Sequence, residues 1–162
     1  MKRIGMVFAA AMLASSLLAA QGTAPSPAPI TSAPDYSGMY SFLKEGEFVQ
    51  LTVEEGRVTG FVSRYGEQDS DQGAFLDQFF KEAKLEGKKL SFTTQTVHGV
   101  WYEFKGTVER GAGKNVGDEA YYVLKGKLMQ YTIGSDKKTS SQSREVVFKA
   151  FPADMGNDPT NP

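Results

Sequence analysis

The sequence predicts a mainly β protein: an antiparallel meander barrel of seven or eight strands with one inserted amphipathic helix. Three observations predict it. Apolar and polar residues alternate over most of the chain, and short glycine turns separate the runs. No proline occurs between Pro34 and Pro152, which suits a segment made largely of central strands, where proline would remove a ladder donor. Finally, Val58-Thr59-Gly60-Phe61-Val62, Phe104-Lys105-Gly106-Thr107-Val108 and Leu124-Lys125-Gly126-Lys127-Leu128 share one pattern. In a strand it puts each glycine on the same face as its apolar neighbours, so something must bend into or occupy the gap.

The N-terminus reads as an export signal. Lys2 and Arg3 precede an uncharged apolar run from Ile4 to Ala20, and small residues follow at Ala19, Ala20 and Gly22. Residues 1–22 are therefore expected to be a signal peptide, and the protein periplasmic or extracellular with no stable membrane anchor after cleavage. Residues 23–35 have three prolines at alternate positions and form a Pro-rich linker. Residues 36–152 form the β-barrel domain, within the usual single-domain range of about 100–150 residues. Residues 153–162 form a disordered tail. With no cysteine, the core must suffice without disulfides. The formal net charge of −1 becomes more negative once Lys2 and Arg3 are removed, which argues against nucleic acid as a partner.

The elements follow in order. Met39 to Leu43 is a short first strand, and Phe48 to Val53 puts Val49, Leu51 and Val53 on one face. Glu54-Glu55-Gly56 turns the chain into Arg57 to Arg64, where Val58 and Val62 flank Gly60. Lys89 to Val97 and Val100 to Glu109 meet at the turn His98-Gly99. Glu119 to Tyr131 is a long strand, counted as two if it breaks near Gly126, and Arg144 to Phe151 closes the domain. One segment changes period: Phe75, Leu76, Phe79, Phe80 and Ala83 follow helical spacing with Asp77, Gln78, Lys81 and Glu82 opposite. Asp71 would cap this helix and Gly87 would end it.

Tyr36-Ser37-Gly38-Met39-Tyr40, opening a glycine-punctuated meander, resembles the first Gly-x-Trp strand of lipocalin-type barrels. Tyr40 stands where that family has tryptophan, and Arg144 matches the arginine that covers it. The family places its helix after the strands, whereas this one falls mid-chain. The resemblance implies an exported up-and-down barrel holding a small hydrophobic ligand inside.

Two candidate surfaces follow. A ligand cavity would be lined by Gly60, Tyr102, Phe104, Gly106, Leu124 and Gly126, with Phe79 and Phe80 of the helix above them. A surface patch would gather the outward aromatics Phe61, Trp101, Tyr121 and Tyr131. The acidic run Glu67 to Gly73 does not fit a calcium loop, because the twelfth position counted from Glu67 is Gln78 rather than glutamate. Gly111-Ala112-Gly113-Lys114 lacks the spacing of a phosphate loop, and Asn115 follows the lysine. The single histidine, His98, has no serine–glycine signature near it. The expectation is a non-enzymatic protein with no cofactor and no metal. It would bind a small apolar ligand or dock on an envelope protein through surface aromatics.

Overall fold

The computed structural model describes residues 34–153. The signal peptide, most of the linker and most of the tail expected from the sequence lie outside them. Eight strands follow in chain order: β1 (Gly38–Ser41), β2 (Phe48–Glu54), β3 (Arg57–Tyr65), β4 (Phe75–Glu86), β5 (Lys89–Thr94), β6 (Val100–Arg110), β7 (Tyr122–Ile133) and β8 (Thr139–Lys149). Each pairs antiparallel with the next, so the spatial order is the chain order. The sheet curls into a half-barrel whose ends meet at one level. There Tyr40 bridges Ala150, and the Phe151 N–H donates to the Met39 carbonyl at 2.8 Å. Above that contact, the outer edge of β8 from Thr139 to Val147 has no strand beside it among the described residues.

Local chemistry explains the hairpins. Glu54 pairs with Arg57 across Glu55-Gly56, and Val97 bridges Val100 across His98-Gly99. Both residues of each turn have positive φ (50° and 77°, then 49° and 75°). That is the two-residue turn whose twist matches the flanking strands, and glycine at its second position relieves half of the steric cost.

The expected helix over residues 75–83 is instead the first part of β4, and no helix occurs among the described residues. The cause is a β-bulge. Phe80 pairs with Thr94 but Glu82 with Thr93, so one extra residue switches the strand's phase at Lys81. Before the bulge the core-facing residues are even-numbered, Gln78 and Phe80; after it they are Ala83 and Leu85. A strand that changes phase this way places Leu76, Phe80 and Ala83 at i, i+4 and i+7, which imitates a helical stripe. Asp71 lies in the preceding loop and Gly87 in a hairpin turn, so neither caps a helix. The eighth strand comes from this segment, since β7 runs unbroken through Gly126.

The core is the concave face. Val49, Leu51, Val62, Leu90, Phe92, Phe104, Val108, Leu124, Leu128 and Phe148 are almost completely buried. Each such side chain contributes roughly 1.5–3 kcal/mol relative to exposure.

Candidate functional site

Gly60, Gly106 and Gly126 do face the core side, as the repeat predicts, but they sit at close approaches. Gly106 and Gly126 pair directly across β6 and β7. A Cβ on Gly106 would lie 2.6 Å from Phe104 Cζ and 2.9 Å from Gly126 Cα. One on Gly126 would strike the backbone of Gly106 and Lys105. At Gly60 it would strike the Gln50 carbonyl and lie 2.8 Å from the Phe80 ring. Aromatic rings close over Gly60 and Gly106, and opposing backbone over Gly126, so the space a side chain would take is filled.

The rings form a chain through the interior. Phe80 stacks on Phe92 at 4.4 Å, Phe92 on Phe104 at 5.2 Å, and Phe104 meets Phe148 at 6.0 Å. Phe148 then touches Phe42, which packs edge-on to Tyr102 at 5.2 Å. Of the expected cavity residues, Tyr102, Phe104 and Leu124 therefore belong to the packed core, and Phe80 packs against it. Phe79 does not join them, because it points outward and is 54% exposed.

The expected surface aromatics fall into three groups rather than one. Trp101 stacks on Tyr131 at 4.8 Å, and the Tyr131 hydroxyl donates to Glu103. Tyr121 lies just before β7, under the Arg110 guanidinium at 3.3 Å and against Tyr122. Phe61 belongs to a third and larger group on β2, β3 and β4. Tyr65, Phe75, Phe48, Phe61 and Phe79 touch in sequence, with centroid separations of 5.1, 6.0, 5.9 and 5.4 Å. Tyr65, Phe75 and Phe79 are 39%, 47% and 54% exposed. Beneath the rings, Ser63 is buried and donates its hydroxyl to Asp77. Sequence reasoning missed four of these five rings. Read at strand period, Phe75 and Phe79 lie opposite Tyr65 and Phe61, as the ladder between β3 and β4 places them.

A polar network joins the loop after β3 to the turn before β6. The buried Asp71 carboxylate accepts from Gln68 N at 2.8 Å and pairs with His98 Nδ1 at 2.5 Å, while Gln68 Nε2 donates to the His98 carbonyl. Burial alone would raise the Asp71 carboxyl, but the Gln68 and His98 hydrogen bonds and the Arg64 charge outweigh it and hold its pKa below the usual range. His98 is thus a tether for the loop, and no hydroxyl group hydrogen-bonds its ring among the described residues. The acidic run disperses: Glu67 turns to Lys44 while Asp71 turns to His98.

Comparison with protein-family models finds no match, and comparisons with curated proteins and with solved structures find none either. The likeness to lipocalin-type barrels extends to the antiparallel meander and its barrel-like curl. The arginine–tryptophan pair has no counterpart: Arg144 donates to Gln130 and Gln142, and the Tyr40 hydroxyl donates to the Tyr36 carbonyl at 2.7 Å.

Proposed function

We propose that this chain is an exported, non-enzymatic interaction module of the periplasm or extracellular space. It docks on a protein of the cell envelope through the aromatic strip across β2, β3 and β4. The supporting observation is the strip itself, five rings in continuous contact on the convex face while the concave face is occupied by the chain's own aromatics. Aromatic rings supply large contact area at low conformational cost, and a contiguous exposed group of them is the usual mark of a recognition surface. The leader expected over residues 1–22 supports export.

The test is site-specific photo-crosslinking in the native host, with the crosslinker at Phe79 and, as control, at exposed Lys127 on β7. One protein captured from Phe79 but not from Lys127, and released by Phe75→Ser with Phe79→Ser in a chain of unchanged melting temperature, sustains the reading. Equal capture from both positions, or retention of the partner by the double variant, overturns it.

A second reading keeps a small hydrophobic ligand but moves it to the surface. A groove of about 410 Å³ runs between β1 and the loop before β7, lined by Met39, Tyr40, Val116, Tyr122 and Phe151. Native mass spectrometry of protein from its own host would show such a ligand as a retained mass.

A further inference from the structure

The concave face changes character at one end. Along β3, β6, β7 and β8, the inward positions are apolar or glycine until a single level, where each strand presents a polar group, although Val100 beyond Tyr102 on β6 is again a core residue. Val58, Gly60 and Val62 lead to Arg64; Val108, Gly106 and Phe104 to Tyr102; Leu124, Gly126 and Leu128 to Gln130; Phe148 and Val146 to Arg144 and Gln142. The ladders put these residues side by side, Tyr102 opposite Gln130 and Gln130 opposite Gln142. This end opens between β8 and the loop 42–47 as a pocket of about 260 Å³, floored by Tyr102 and rimmed by Lys44, Glu67 and Arg144.

The hydrogen-bond balance here is one-sided. Both oxygens of Glu47 are answered, by the N–H groups of Lys44 and Tyr65 at 3.1 Å each, and Glu67 Oε1 by Lys44 Nζ at 2.5 Å. The guanidiniums are not. Arg64, only 3% exposed, spends Nε on Gln78 Oε1 and Nη1 on the Tyr65 carbonyl, and Nη2 has no partner among the described residues. Arg144 spends Nη2 on the Gln130 and Gln142 side-chain carbonyls, leaving its other nitrogens and both amide NH₂ groups free among the described residues. Neither arginine has an ion pair among the described residues. The Tyr102 hydroxyl, on a residue 3% exposed, has no hydrogen-bond partner among the described residues and lines the pocket. No buried side-chain polar atom among the described residues lacks a partner, so the free Tyr102 hydroxyl and Arg144 nitrogens open to the pocket, where an acceptor can reach them.

We propose that this polar end binds a small oxyanion, a carboxylate or a phosphate, which accepts from the Tyr102 hydroxyl and the Arg144 guanidinium within the field of buried Arg64. Donors predominate among the free groups at the opening, with Glu67 Oε2 the exception, so the ligand is acceptor-rich, and planar guanidiniums suit two-oxygen anions.

The experiment is an NMR titration of the arginine side-chain N–H signals with sodium acetate and, separately, inorganic phosphate, at constant ionic strength set by chloride. Saturable shifts at Arg64 and Arg144 with either probe are expected, weakened about tenfold or more in Arg144→Gln and severalfold in Tyr102→Phe. Tyr102→Phe removes only an unpartnered hydroxyl, so its fold should be retained, and an unchanged amide spectrum checks this. Non-saturating shifts with both probes, or unchanged affinity in both variants, overturn the proposal.

Discussion

Gly106 and Gly126 face one another across the ladder of β6 and β7, and neither position has room for a methyl group. The repeated glycines therefore mark close approaches of backbone, joined by an aromatic ring at Gly60 and Gly106. A side chain there must displace main chain, which cannot yield as a flexible side chain would.

Gly126→Val is expected to lower stability by about 1–3 kcal/mol, the usual cost of overpacking, with a larger loss where main chain must shift. Urea denaturation measures it. A neutral effect would mean that the glycine positions enclose free space after all.

Phe79 and Phe80 are neighbours on opposite faces of β4. Phe79→Ser should change stability by no more than about 0.5 kcal/mol, as for other exposed positions. Phe80→Ala loses the stack on Phe92 at 4.4 Å and should cost about 3 kcal/mol. A helix would bury both residues on one stripe and make the two costs similar.

Asp71 makes the fold acid-sensitive. Its folded pKa lies below the ordinary value, so the folded state binds fewer protons than the unfolded one in the acid range. Its contribution is present above about pH 4 and is lost as pH falls through the folded pKa. The urea midpoint should fall between pH 6 and about pH 3, and Asp71→Asn should flatten that slope while lowering stability at neutral pH.

Two buried tyrosines limit stability at the alkaline end. Burial pushes the Tyr102 hydroxyl up to about 12, and burial, with Tyr122 beside it, raises Tyr40 as well. The unfolded chain loses these protons near pH 10 while the folded chain keeps them, so stability declines above about pH 10. Absorbance at 295 nm should show late tyrosine ionisation that accompanies unfolding, with one late-ionising tyrosine fewer in Tyr102→Phe.

Much of the strand order was legible because its causes are local. Alternation at period two and turns such as His98-Gly99 need only neighbouring residues, so Phe48 to Val53 differs from β2 by one residue. The segment 75–86 was misread because a bulge is a tertiary event. One extra residue between Phe80 and Glu82 is accommodated only when β3 pairs with one half of β4 and β5 with the other.

The sequence by itself determined a meander of alternating strands and which side of each strand carries the three glycines. Only the tertiary structure decided what those glycines meet, because the atoms they approach include Gln50, Phe80 and the opposing strand, which are distant along the chain. It alone brought Phe48, Phe61 and Phe79 into one strip and Arg64, Tyr102 and Arg144 to one end. Such groupings depend on register between strands, and register is set by the pairing of distant segments.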